Sequence, residues 1–204
     1  MTVHLRRPAT EAVREDATLL SDDDFATLLR LAREAVEASV RGTSPPRPDP
    51  ERLPAAVRRH GAAFVTLHEH GELRGCMGQL DWERAAWENV VAAGTIVPCE
   101  DPRFRPVSPA ELPSIRLEVS VLAPPAELVS AAEFDARTAG IIVERGGCRA
   151  LLLPQVAEEF GWDSATTLQA VCEKAGLAGD AWRWPGTRLR SFRSVRASET
   201  GFGR

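Results

Sequence analysis

The chain has 204 residues, 44% of them hydrophobic and 26% charged, with a formal net charge of −4. That length and balance give one large domain or two small ones with a real core, and the acidic excess argues against nucleic acid as the main partner. No apolar run reaches the roughly 18 residues that span a bilayer. The opening Met1–Pro8 stretch also lacks a signal-peptide core, so a cytoplasmic protein without a membrane partner is expected.

Cys76, Cys99, Cys148 and Cys172 lie far apart with no CxxC pair, which fits neither a zinc knuckle nor a disulfide framework. His68 and His70 form an H-x-H pair with no third ligand nearby, so no metal site is expected. The chain has no Walker A loop and no GxGxxG after a strand, which argues against a P-loop NTPase or a Rossmann oxidoreductase. Without a three-cysteine cluster it is not itself a radical iron–sulfur enzyme. The cofactor, if any, stays unknown.

In chain order, residues 1–20 read as a polar lead-in. Ser21 caps a helix over 22–41, with Asp22, Asp23 and Asp24 at its positive end and Phe25, Leu28, Leu29, Ala32, Val36 and Val40 at helical spacing. Gly42 stops it, and the proline-rich 44–50 stretch is a surface connection. A hairpin follows: 62–67, a turn at 68–71, and 72–78. A helix from Trp82 to about Val97 ends at Pro98, and Asp101-Pro102-Arg103-Phe104 makes a turn. Ser108-Pro109-Ala110-Glu111 resembles a capping box opening one short helical turn. Strand 115–122 turns Ile115, Leu117, Val119 and Val121 inward.

The pattern then recurs. Residues 140–143 and 148–153 form a second hairpin around Arg145-Gly146-Gly147. Pro154 opens a short helix closed by Gly161, a further helix runs from Asp163 or Ser164 to Gly176, and 188–196 forms a closing strand. Hairpin, helix and strand thus appear twice, in halves of about 60–123 and 139–197. This predicts an α+β fold with internal duplication: a mostly antiparallel sheet packed with helices, and a groove where the halves meet.

The sharpest candidate site is Leu73-Arg74-Gly75-Cys76-Met77-Gly78. Read as a strand, it puts Arg74 and Cys76 on one face, where a guanidinium lowers a thiol pKa below about 8.5. Gly75 and Gly78 mark a bulge or a close approach by a ligand or another backbone. Cys76 reads as a nucleophile or soft ligand, as a non-covalent site residue, or as a small packing residue. Arg74 reads equally as an anion clamp or as a salt-bridge partner of Glu118. Asp101 reads as a cap for local amides, Arg103 as a site or turn residue, and Gln155 as a groove amide or a surface helix residue. Trp162, Trp182 and Trp184 read as packing residues, and Arg188, Arg190, Arg193 and Arg196 as solvated charge.

Phe64-Val65-Thr66-Leu67, the 73–78 block, Asp101-Pro102-Arg103-Phe104, Glu118-Val119-Ser120-Val121-Leu122 and Leu151-Leu152-Leu153-Pro154-Gln155-Val156-Ala157 occur in one order. Together they resemble the AMMECR family, protein A of the AmmeMemoRadiSam system, from about Ser21 to Glu199. The resemblance implies a single AMMECR-type domain over 21–199 with a 200–204 tail, and an α+β fold of two lobes around a cleft. It implies a functional segment at the Cys76 block, with Cys76 the catalytic candidate. Arg74, Gly75, Gly78, Arg103, Glu118 and Gln155 are the candidates for binding a small polar or anionic ligand. It further implies action beside a Memo-type protein and a radical S-adenosylmethionine enzyme, as a small-molecule-binding accessory or enzyme. The alternative is a non-enzymatic interaction module that uses the same block for docking. Met77 stands where the family more often has isoleucine. The Ile96–Cys99 segment breaks a helix that in the family runs closer to Asp101, so Cys99 inherits no family role.

Overall fold

The computed structural model describes residues 20–199; the predicted lead-in before Leu20 and the tail over 200–204 lie outside them. Helix α1 (Asp22–Arg41) begins in a capping box. The Ser21 hydroxyl accepts the Asp24 N–H at 3.2 Å, and the Asp24 carboxylate accepts the Ser21 N–H at 2.8 Å. Gly42, at φ 67°, closes it. Strands β1 (Ala62–Glu69) and β2 (Glu72–Gln79) form the first hairpin. Their turn is only His70 and Gly71, both at positive φ, so His68 and Glu69 belong to the strand rather than to the expected turn.

Helix α2 (Ala86–Glu100) corrects two expectations. It starts later than Trp82 and runs through Pro98 to Asp101. Pro98 falls in the last turn, where its missing N–H forfeits a single bond, to the Gly94 carbonyl. The segment before Asp101 is therefore helical. Residues 109–114 form turns rather than a helix. Strand β3 (Ile115–Leu122) follows the predicted span, and Ile115, Leu117, Val119 and Val121 are all buried.

Residues 20–123 with 195–199 make one compact unit, and 124–194 make another. In the first, the sheet order is β2-β1-β3-β8, where β8 is Ser194–Ser198 and β2, β1 and β3 run antiparallel. Helices α1 and α2 pack against the face that carries Ala63, Val65, Leu67, Leu117 and Val119. The helices approach closely because Gly94 carries no side chain: a methyl there would meet the Ala35 Cβ at 3.0 Å and the Ala32 carbonyl at 3.1 Å.

The second unit holds β4 (Ala126–Glu127), β5 (Gly140–Arg145), β6 (Cys148–Leu152), α3 (Pro154–Phe160), α4 (Ser164–Lys174) and β7 (Arg188–Phe192). Its sheet order is β4-β7-β5-β6, antiparallel throughout. Reversed, this is β6-β5-β7-β4, the same arrangement as β2-β1-β3-β8. The single closing strand expected over 188–196 is instead two strands in two sheets. The chain breaks at Arg193, β7 completes one sheet, and β8 adds to the other. Strand β4, two residues long, follows β3 and adds to β7, so each sheet takes its fourth strand from the segment after the other sheet's third. Trp162 and Trp182 pack against a core of Phe134, Ile141, Val143, Leu168 and Val171. Arg188, Arg190 and Arg196 pair with Glu127, Glu144 and Glu118.

Asn89 is fully buried on α2, and its amide donates to the Gly61 carbonyl at 2.9 Å and the Asp81 carbonyl at 2.7 Å. An Asn89→Leu variant leaves both carbonyls without that donor. It is expected to lose about 2–3 kcal/mol in urea unfolding; an unchanged midpoint would deny Asn89 this role.

Candidate functional site

The Cys76 block lies on an edge strand, and a bulge decides what it presents. In the β1–β2 register Leu67 faces Gly75 and His68 faces Leu73, which leaves Arg74 as an extra residue without a partner. Strict alternation fails there, so the expectation that Arg74 and Cys76 share a face is overturned. Arg74 is buried, and its Nε donates to Glu111 Oε1 at 3.0 Å. Its Nη2 donates to the Pro106 carbonyl at 3.4 Å, and Glu69 lies 4.0 Å from Nε. Its carboxylate partners are Glu111 and Glu69, not Glu118.

Beyond the bulge, alternation resumes. Cys76 faces Thr66, and Thr66 faces Glu118 on β3. All three occupy the sheet face opposite the α1 and α2 core. The Thr66 hydroxyl donates to Cys76 Sγ at 3.3 Å. The Cys76 backbone N–H points away from β1 and donates to Asp101 Oδ2 at 2.8 Å. A residue whose N–H points outward belongs to a non-hydrogen-bonded pair, in which opposed side chains lie closest. This explains the sulfur–hydroxyl contact. Glu118 lies 3.8 Å from Arg196 of β8, which extends the polar row to Cys76, Thr66, Glu118, Arg196.

Residues 101–111 strap this edge. Asp101, 4% exposed, caps the C-terminus of α2 and receives Arg103 in two-pronged fashion: Nε to Oδ1 at 3.0 Å and Nη2 to Oδ2 at 2.7 Å. Arg103 Nη2 also donates to the Cys76 carbonyl at 3.4 Å. Both outward backbone groups of Cys76 are thus satisfied by side chains. The Phe104 ring lies near both guanidinium groups, 5.4 Å from Arg103 and 6.0 Å from Arg74. At the far end, Glu111 accepts the Ser108 N–H and hydroxyl, each at 2.8 Å, along with Arg74.

The two glycines have neighbours that account for them. A methyl on Gly75 would meet the Val97 Cγ2 at 3.3 Å, and one on Gly78 would overlap the Phe64 ring directly across the pair. Gln155 lies on α3 in the other unit. Its Nε2 donates to Ser194 Oγ at 3.4 Å, and its Oε1 is buried without a hydrogen-bond partner among the described residues. Thr66, Glu111 and Arg196 join the picture with no site role expected of them, and Asp101, expected as a local cap, both accepts the Arg103 amide at 3.1 Å and reaches Cys76. The signals present in the sequence were the apolar, partly β-branched run 62–67 and the Ser108…Glu111 spacing. Among the described residues no group of three or more His, Cys, Asp or Glu side chains is arranged to hold a metal, and no helix is long and apolar enough to cross a membrane.

Electrostatics reverse the expectation for the thiol. Burial pushes the Cys76 pKa up. The Thr66 hydroxyl and the Arg103 charge pull it back in part, while Asp101 and Glu118 push it further. The charges acting on the sulfur do not include Arg74, and no histidine contributes. Cys76 is a neutral thiol at pH 7. Alkylation of the native protein at pH 7 should therefore modify exposed Cys99 well before Cys76; faster labelling of Cys76 would refute the neutral thiol.

Asp101 and Glu111 are shifted the other way. Arg103, followed by the Cys76 and Arg103 amides, holds the Asp101 carboxyl well below the usual carboxylate range. The Ser108 amide and hydroxyl, then Arg74, lower Glu111 from 4.5 to about 2. A depressed folded-state pKa contributes stability that is complete above the unfolded value and is lost as pH falls toward the folded one. The Glu111 contribution should therefore disappear between 4.5 and about 2. In Glu111→Gln the fall of unfolding free energy across that window should be shallower than in wild type; equal slopes would mean that the strap holds no ionic advantage.

The chain matches the AMMECR1 family profile over residues 29–197. A protein of Methanothermobacter thermautotrophicus is 42% identical over 188 residues, covering 89% of this chain and 97% of its own. One from Thermococcus kodakarensis is 39% identical over 85% of this chain and 89% of its own. The crystal structure of an uncharacterised protein from Pyrococcus horikoshii superposes with a TM-score of 0.81 at 32% identity, covering 89% of this chain and 94% of that one. By profile, relatives and fold together, this chain belongs to the AMMECR1 family.

Proposed function

We propose that the chain is a binding accessory whose ligand, a small polar molecule, lies on the outer face of the first unit's sheet. The carrying observation is the cross-strand row of Cys76, Thr66 and Glu118, half-buried polar side chains on the face that α1 and α2 leave uncovered. A hydroxyl, a thiol and a carboxylate in line offer donors and acceptors at sheet spacing, and Arg196 and Arg103 add positive charge near the row. The raised Cys76 pKa is the opposite of what a thiolate nucleophile requires. This favours Cys76 as a contact residue over Cys76 as a catalytic one. Arg74, buried against Glu111, supports the strand from behind. In this reading the chain works in the cytoplasm beside the Memo-type and radical S-adenosylmethionine proteins implied by the resemblance.

The test co-purifies the full chain with its genomic neighbours and identifies the small molecules it retains. Glu118→Gln and Thr66→Val should each lose the retained molecule while the protein stays folded, and Cys76→Ser should weaken its retention. A molecule kept by all three variants would sink the proposal. Loss of the neighbours with unchanged small-molecule content would point to a docking module instead.

A further inference from the structure

The second unit gathers cations around one turn. Strand β5 ends at Arg145 and β6 starts at Cys148, so the connection is Gly146-Gly147, both at positive φ, and a methyl on either would meet nothing within 4 Å. The turn therefore leaves open space beside it. Around it lies a depression of about 350 Å³ lined by Arg145, Arg149, Arg188, Glu144, Cys148 and glycines including Gly186.

Glu144 is shared among three guanidinium groups: Arg149 at 3.1 Å, Arg190 at 2.6 Å and Arg188 at 3.8 Å. Arg188 also pairs with Glu127 at 2.5 Å. Arg145 has no carboxylate partner among the described residues. It is held in place by the Pro185 carbonyl at 2.7 Å and the Thr187 hydroxyl at 3.1 Å, and its guanidinium lies 5.3 Å from the Trp184 ring centroid. A guanidinium positioned by neutral acceptors and an aromatic ring keeps its full charge and is ordered before a ligand arrives. Gly186, at φ 83°, also borders the depression, and a methyl there would lie 3.7 Å from Arg145 Nη1.

We propose that this depression binds a phosphate group, with Arg145 as its principal contact and Arg188 as a second lining guanidinium. Guanidinium groups recognise tetrahedral oxyanions through paired N–H donors, and the depression has ample room for a phosphate group. The site belongs to the second unit and is independent of the Cys76 row.

Inorganic phosphate titrated into the full-length protein tests this, followed by amide chemical shifts, with chloride at matched ionic strength as the control. Saturable shifts should centre on Gly146, Gly147 and Gly186. Binding should weaken about tenfold in Arg145→Gln and stay unchanged in Arg137→Gln, whose exposed partner Asp135 lies elsewhere. Phosphate should also slow alkylation of Cys148, which lines the depression, without slowing that of Cys99. Shifts matched by chloride, an equal loss in both arginine variants, or no protection of Cys148 would each overturn the proposal. The Cys148 readout on wild-type protein does not depend on how well any variant folds.

Discussion

The hydrogen bond from the Cys76 amide to the Asp101 carboxylate organises the first unit. Strand β2 is a sheet edge, and an open edge exposes unpaired backbone groups that invite another strand. Asp101 and Arg103 occupy the outward N–H and carbonyl of one residue as a neighbouring strand would. They bring with them a strap that ends at Glu111, where the bulged Arg74 is held. Capping the edge fixes which way Cys76 points, and the bulge fixes that Arg74 does not point with it. The Leu73–Gly78 and Asp101–Phe104 blocks are therefore two sides of one clamp, a physical reason for them to occur together in one chain.

Much of this fold was legible because periodicity is local. The helix cap at Ser21, the stop at Gly42, the alternation of 115–122 and the proline and glycine bounding α3 all depend on residues within a few positions of one another. Features that depend on a partner strand were not legible. Gly75 and Gly78 signal a bulge or a close approach within the block, but which residue goes unpaired is set only by the register against Leu67 and His68, which leaves out Arg74. The break at Arg193 was hidden likewise: 188–196 reads as one strand, and only the demand of two sheets for a fourth strand divides it. Pro98 misled because its position in a last turn depends on where the helix ends, which the distant Val107 amide on the Pro98 carbonyl helps to set.

The candidate site was half legible for the same reason. Cys76 was found from its two glycines, yet those glycines answer to Val97 and to the Phe64 ring, both outside the block. Spacing alone suggested the pairing of Arg74 with Cys76, whereas the guanidinium acting on the thiol comes from Arg103, 27 positions away. Thr66, whose hydroxyl bonds the sulfur, has no signal beyond its place in an apolar, partly β-branched run.

The clamp also limits what chemistry Cys76 can do. Asp101 and Arg103 act on the sulfur with opposite signs and are bound to each other, so they largely offset and burial decides the outcome. Only one of them is exchangeable: Arg103 is 55% exposed, while the Asp101 side chain is 3% exposed. An anion that drew Arg103 outward would remove the cation and uncover the carboxylate, both of which raise the thiol pKa further. A cation that would lower it has no route to Asp101, although it can reach Glu118 across the row. Displacing Arg103 would thus take the sulfur further from the thiolate form. A cation at Glu118 would offset one cause of the raised thiol pKa, but burial, the largest cause, would still hold Cys76 toward the neutral form.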